Sequence, residues 1–269
     1  MNYRLQTSYY RDDAEDKVSR KVFLSLACAL AVIFIFFISV GFAMQTKYRF
    51  ILVSGVSMQN TLNEKPVGSG QDGVYILLTH DVDYGDIIVH KKSADTSVIK
   101  RVMAMEGDKI CIARVKTADM EEEQIRFMRV KRNSNTVEIL NKEDDYIKSY
   151  AKWDEYETRL NATSDGVTYG YNFYHTFIKD KTTATYNIEG VDYKFAVIPE
   201  GKIFFMGDNR SESVDCRERG AASYEDIEGK VVKIAHNVFS FKNSPFYLFN
   251  YVGSYFSLIW EEIMAYFSF

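Results

Sequence analysis

The sequence predicts a mainly β protein held at a membrane by one N-terminal helix. Two observations carry this reading. Val22–Met44 is a run of 23 residues without a charge, and beyond it short β-type runs alternate with Asp- and Gly-containing turns. The composition agrees. Charged residues make up 26% of the 269-residue chain, too many for a polytopic membrane protein, and 46% of residues are hydrophobic, too many for a disordered one. The formal net charge of -4 argues against nucleic acid as the partner, because phosphate binding needs a basic surface.

The apolar run is read first. At ~1.5 Å per residue it is long enough to cross ~30 Å of hydrocarbon, and it is apolar on every face, unlike a helix packed on one side. Gly41 and Ala43 stand at −3 and −1 of the Ala43–Met44 bond, a cleavage-site pattern, but the run exceeds the apolar core of a cleaved leader, and an uncleaved anchor is expected. Arg4, Arg11, Lys17, Arg20 and Lys21 precede it, while only Lys47 and Arg49 follow closely. Basic flanks stay in the cytoplasm, so residues 1–21 are expected inside the cell and the residues after Met44 outside, in a single-pass plasma-membrane protein.

Beyond the anchor, β runs are expected at Val74–Leu78, Ile87–His90, Ser97–Met105 and Lys109–Val115, and again from Ile198 through Val232–Ala235. Residues 116–194 are polar, Tyr-rich and less regular, with strands expected near Gln124–Lys131, Thr136–Leu140, Thr183–Ile188 and Tyr193–Val197, and a helix near Asp144–Leu160. Residues 45–115 and 195–243 are thus read as one β domain, and 116–194 as an inserted second domain. The tail, 244–269, holds ten aromatics and only Glu261 and Glu262 as charges, with Phe256, Ile259, Trp260, Ile263 and Phe267 at helical spacing. Packing on the β core, interfacial contact and a second span all fit the tail, with membrane contact preferred.

Cys28, Cys111 and Cys216 form no C-x-x-C pair, and His80, His90, His175 and His236 show no ligand spacing, so no metal or other cofactor is expected. The residues leave a single Cys111–Cys216 bridge open. Chemistry is instead concentrated in four patterns: Ser54–Leu62 (SGVSMQNTL), Tyr84–His90 (YGDIIVH), Val98–Ile110 (VIKRVMAMEGDKI) and Val197–Gly220, which contains GDNRSESVDCR. A serine is a poor nucleophile without a base. On a strand, Lys100 shares a face with Val98 and Val102, which makes it a candidate for a desolvated amine able to act as a base, although by this pattern alone an edge-strand lysine in solvent is the readier reading. Ser213, Asp215 and Arg217 alternate after an apolar run and could orient such an amine.

These four patterns, in this order behind an anchor, resemble the type I signal peptidases, membrane-anchored serine endopeptidases with a Ser/Lys dyad. The resemblance implies an antiparallel β domain with a β-rich insertion. It implies Ser57 as nucleophile, with its N–H in the oxyanion hole, and Lys100 as general base. Ser213 would hydrogen-bond the lysine, Asp215 and Arg217 would form a supporting ion pair, and Met58, Leu62 and Ile99 would line shallow pockets. The implied function is removal of signal peptides from exported preproteins after small residues at −3 and −1, with preproteins and the lipid bilayer as partners. The chain departs from the family pattern at Asn60, Glu106 and Cys216, where Pro, Pro and Ser are usual, and carries Gly55 where some members have Ser. Two other readings are a processing peptidase with few clients and a catalytically silent binding protein of the same fold. The oligomeric state is not legible.

Overall fold

The computed structural model describes residues 3–59, 61–63, 71–118, 120–140, 162–239, 253–261 and 264. The chain divides into two units, Met1–Tyr48 and Arg49–Phe269. The first is a single 45-residue helix, α1 (Tyr3–Lys47). The apolar run lies within it, and Ser19–Phe36 is long and apolar enough to cross a membrane. Large side chains of the run, among them Phe23, Leu26, Leu30, Phe34 and Ile38, are exposed, as expected of a helix whose solvent is lipid. The helical turns continue N-terminally through the polar residues before Val22.

The second unit is built from antiparallel strands. In chain order these are β1 (Tyr48–Leu52), β2 (Gln71–Leu77), β3 (Ile87–Ser93), β4 (Thr96–Ala104), β5 (Lys109–Val115), β6 (Gln124–Val130) and β7 (Glu138–Leu140). There follow β8 (Ala162–Ser164), β9 (Val167–Tyr169), β10 (Thr183–Ile188), β11 (Val191–Val197), β12 (Lys202–Met206), β13 (Ala222–Ser223) and β14 (Ile227–Phe239). One seven-stranded sheet has the order β1-β2-β14-β3-β4-β12-β13. The other has the path β10-β11-β5-β6-β7, with the β8–β9 hairpin joined to β5.

The chain leaves the first sheet once and returns at the same place. It exits after β4 through a turn at Met105–Asp108, where Gly107 takes φ 81°. It comes back through Ile198–Gly201 into β12. Exit and return are bonded to each other: Gly107 N donates to Ile198 O at 2.9 Å, and Ile198 N donates to Asp108 O at 2.8 Å. The second sheet therefore takes in β5 and the end of β11 as well as the polar stretch 116–194. Both sheets feed one core, in which Val102, Met103 and Phe204 of the first meet Ile112, Phe127 and Phe195 of the second. The Phe127 and Phe204 rings lie 5.8 Å apart.

Asp108 ties the exit turn together. Buried at 1% exposure, it accepts from Tyr84 Oη at 2.9 Å, from Met105 N at 2.9 Å and from Arg132 N at 2.9 Å. Its donors come from the approach to β3, the end of β4 and the loop after β6.

Cys111 and Cys216 are both buried free thiols, so no bridge joins them. In the tail, residues 253–261 are helical. Leu258 and Ile259 are buried, Lys233 donates to Ser257 Oγ at 3.1 Å, and Phe256 and Trp260 stay exposed. The helix expected at 144–160 and Asn60 lie outside the described residues.

Asp108→Ala would leave two backbone N–H groups without their acceptor. Each buried unsatisfied donor costs ~1–3 kcal/mol. The expected loss is about 2–4 kcal/mol of stability, measured by denaturant unfolding of the full chain in detergent, with Asp108→Asn losing less.

Candidate active site

The site assembles at the place where β4 loses its neighbour on one side. β12 pairs with β4 only through Arg101, Val102 and Ala104. Lys100, the residue before that pairing begins, points to the face carrying Val98 and Val102, with Ile88 opposite it on β3. Its side chain is therefore surrounded by branched aliphatic groups, and Lys100 is only 3% exposed. Desolvation on that scale disfavours the ammonium form, and the Lys100 pKa is lowered by burial, against the opposing pull of Asp215 and Asp208.

Ser57 arrives on the loop after β1. Gly55 takes φ 94°, a left-handed conformation that a side chain would strain. The chain then turns, with Gln59 N donating to Val56 O at 3.0 Å and Leu62 N to Met58 O at 2.8 Å. Met58 and Leu62, at 2% and 0% exposure, plug the turn into a cluster with Val53, Val74, Ile76 and Val89. Asn63 closes the loop: its side-chain amide donates to Val53 O at 3.0 Å, and it exchanges two 2.8 Å bonds with Asp72. The result places Ser57 Oγ 2.8 Å from Lys100 Nζ. Lys100 Nζ also lies 2.8 Å from Ile99 O, which fixes its direction. Among the described residues no acceptor takes the Ser57 N–H, so that donor is open to a developing oxyanion.

The segment after β12 locks this pair in position. Asn209 N donates to Ser57 O at 3.0 Å, and the Asn209 amide donates to Val56 O at 3.1 Å. Gly207 lies flat against the Ser57 turn: a Cβ there would stand 2.2 Å from Ser213 Oγ and 2.5 Å from Ser57 O. Asp215 accepts from Gly207 N at 2.9 Å, from Ser213 Oγ at 2.8 Å and from Arg217 Nε at 2.9 Å. Burial pushes the Asp215 carboxyl up, but the Arg217 guanidinium and the two hydrogen bonds outweigh it, and the pKa is lowered.

A second buried pair was not singled out in the sequence. Arg101, next to Lys100 on the opposite face of β4, grips Asp208 with bonds of 2.9 and 2.6 Å, and Thr61 Oγ1 donates to Asp208 Oδ2 at 2.5 Å. Thr61, Arg101, Asp208 and Asn209 all lie inside the four patterns. The signal was available in the odd-even alternation of β4, which puts a second cation beside the first but on the other side.

The expected residues fall into place as follows. Ser57, Lys100, Ser213, Asp215 and Arg217 converge. Ser213 Oγ donates a hydrogen bond to Asp215, and the bonds of Lys100 Nζ go to Ser57 and Ile99. Met58 and Ile99 line a cleft of about 140 Å³ between residues 51–58 and 97–100, with Ser57 and Lys100 also on its wall. Leu62 lies in the core beneath Met58 and does not line it. The cleft is well below the ~300–1,000 Å³ of sites that enclose drug-sized ligands, and suits short side chains on an extended peptide.

A serine hydroxyl against a desolvated lysine amine, beside a free N–H and a narrow cleft, is the equipment of a serine endopeptidase. Comparison with known proteins gives the family. The model of the signal peptidase family, peptidase S26, matches residues 24–235, and the chain belongs to that family. Signal peptidase I of Aquifex aeolicus is 30% identical over 57% of this chain and 62% of its own length. Signal peptidase IB of Staphylococcus aureus is 26% identical over 86% of this chain and 95% of that protein. Signal peptidase I U of Bacillus subtilis is 28% identical over 68% and 72% respectively.

Gly207→Ala would drive a methyl group into Ser213 and the Ser57 carbonyl. A misplacement of ~1 Å in a catalytic group costs on the order of 10²-fold in rate. The expected result is a drop in kcat of about that size with the substrate KM within a few-fold, read from peptide hydrolysis.

Proposed function

We propose that this chain removes signal peptides from preproteins, with Ser57 as nucleophile and Lys100 as its base. The observation that carries the reading is the 2.8 Å approach of a buried lysine amine to a serine hydroxyl. Neutral Lys100 takes the Ser57 proton as Oγ attacks the carbonyl carbon, and the oxyanion accepts from the Ser57 N–H. The protonated amine then gives its proton to the leaving nitrogen as the peptide bond breaks, leaving an acyl-enzyme. Water, deprotonated by Lys100, attacks the ester and restores the serine. The residues before the scissile bond lie along β4 at 97–100, adding as a strand, with their small side chains in the cleft walled by Met58 and Ile99. Asp215, held by Arg217, orients Ser213 and Gly207 behind the dyad. A silent binding protein would have no use for a desolvated lysine on a serine, and the enzyme reading is preferred for that reason.

The expected outcome is that Ser57→Ala and Lys100→Met each lower the processing of a preprotein by about 10⁴-fold or more, with membrane binding and folding retained. The pH profile supplies the sign. Below the Lys100 pKa the amine is charged and cannot act as base, so kcat/KM rises with pH and levels off above it. Because burial lowers that pKa, the rise should be centred below the ordinary lysine value of ~10.4. Processing by either variant at near wild-type rate would overturn the dyad.

In the same reading α1 crosses the membrane once with the N-terminus in the cytoplasm, and Phe256 and Trp260 rest at the lipid interface. Cells carrying Tyr10→Cys or His80→Cys are treated with a membrane-impermeant thiol reagent. Position 80 should label and position 10 should not. The reverse pattern would put Ser57 on the wrong side of the membrane for exported chains.

A further inference from the structure

Away from the dyad, the cleft meets a polar bridge that the proposed mechanism does not use. Ser97 lines the cleft together with Ile99, on the same face of β4 and two residues from it. Ser97 Oγ donates to Glu228 Oε1 at 2.5 Å, and Glu228 Oε2 accepts from Arg49 Nη1 at 3.3 Å. The bridge thus joins β4 to β14 and β1. It stands on the path a substrate has to take. From Arg101 onward the edge of β4 is occupied by β12, so a peptide added at 97–100 runs back from the dyad toward Ser97.

Glu228 reaches Ser97 past β3 because β14 bulges there. Ile227 pairs with His90 and Gly229 with Val89, so β14 takes two steps where β3 takes one, and Glu228 is the extra residue. A bulge re-aims the side chain it carries. Gly229 is required beside it, since a Cβ there would stand 2.3 Å from Leu77 O of β2. Both oxygens of Glu228 are engaged and Arg49 balances its charge, so the bridge brings no net charge to the cleft. What it brings is a direction. The Ser97 hydroxyl donates to the carboxylate, which leaves its oxygen as an acceptor on the cleft it lines, and a hydroxyl that donates to a charged group accepts more strongly.

We propose that Ser97, held by Glu228, is a specificity-determining residue for position −3 of the substrate, and that it favours a hydroxyl side chain there. The proposal rests on the signal-peptidase reading and adds a substrate preference to it. On an extended peptide the side chains at −1 and −3 point to one face about 6.6 Å apart, which is the spacing of Ile99 and Ser97 along β4. With the −1 residue at the dyad beside Ile99, the −3 residue comes beside Ser97. Thr or Ser at −3 can donate to the Ser97 oxygen, and Val or Ala cannot. Ser54 also lines the cleft, but among the described residues its hydroxyl has no partner to orient it.

The test uses the full-length enzyme in detergent and two peptides that differ only at −3, Thr in one and the isosteric Val in the other. One added hydrogen bond should raise kcat/KM for the Thr peptide about fivefold over the Val peptide. Ser97 is exposed, so Ser97→Ala disturbs no packing, and it should bring the ratio close to unity. Glu228→Ala, which lets the hydroxyl turn, should lower the ratio, and Glu228→Gln, which keeps an acceptor for Ser97, should retain most of it. Ser54→Ala should leave it as in wild type. Each ratio is taken on one preparation, so a variant's overall loss of activity cancels. A wild-type ratio below about twofold, a ratio that survives Ser97→Ala, or one that Ser54→Ala abolishes would overturn the assignment to Ser97 while leaving the peptidase intact. A ratio untouched by Glu228→Ala would overturn the part given to the bridge. If wild type cuts neither peptide faster than Ser57→Ala does, the peptidase reading falls and the −3 preference with it.

Discussion

In the proposed mechanism everything at this site depends on keeping one lysine uncharged. An amine can take a proton from serine only when it does not already carry one, and burial is what disfavours the charged form of Lys100. The threat comes from Asp215 and Asp208, the two carboxylates nearest it in electrostatic effect. Each pulls the lysine back toward the ammonium state. The structure gives each its own arginine, Arg217 for Asp215 and Arg101 for Asp208, in buried ion pairs. The carboxylates can then serve as hydrogen-bond acceptors for Gly207, Ser213 and Thr61 with much of their negative field cancelled. Breaking either ion pair would be expected to unbalance the base as well as the fold, since a buried unpaired charge costs several kcal/mol.

Position matters as much as charge, and three distant segments have to meet within hydrogen-bond distance. β4 is the fixed element, paired to β3 along its length and to β12 from Arg101 onward. The Ser57 turn has no regular structure, so it is held by what it buries, Met58 and Leu62, and by the Asn63–Asp72 exchange at its closing end. The segment after β12 then clamps the turn from outside through Asn209 and Gly207. A glycine is needed at 207 because two chain segments approach so closely that not even a methyl group fits between them.

Much of this was legible in the sequence. The uncharged run marked a helix long and apolar enough to cross a membrane, and period-two alternation placed Lys100 on an apolar face of a strand. Strand runs such as Lys109–Val115 and Thr183–Ile188 stand where expected because β-branched and aromatic residues are bounded there by turn residues. What the sequence could not supply was long-range pairing. Nothing local says that β5, contiguous with β4, belongs to a different sheet, because that division is made by Gly107, Asp108 and Ile198 meeting across some ninety residues of chain. Nor does a motif reveal its internal wiring. Ser213 was expected on the lysine and its hydroxyl donates to Asp215, and Leu62 was expected on the cleft wall and sits in the core below it.

The cleft beside Ser57 and Lys100 is small, about 140 Å³, and its wall mixes Met58, Ile99 and Val89 with Ser54 and Ser97. Met58 and Val89 belong to a buried cluster, so a large side chain in the cleft would meet packed residues that cannot yield without losing contacts. Exclusion of that kind is steep and barely sensitive to solvent conditions, and in the proposed reading it is what would confine cleavage to chains with small side chains before the scissile bond.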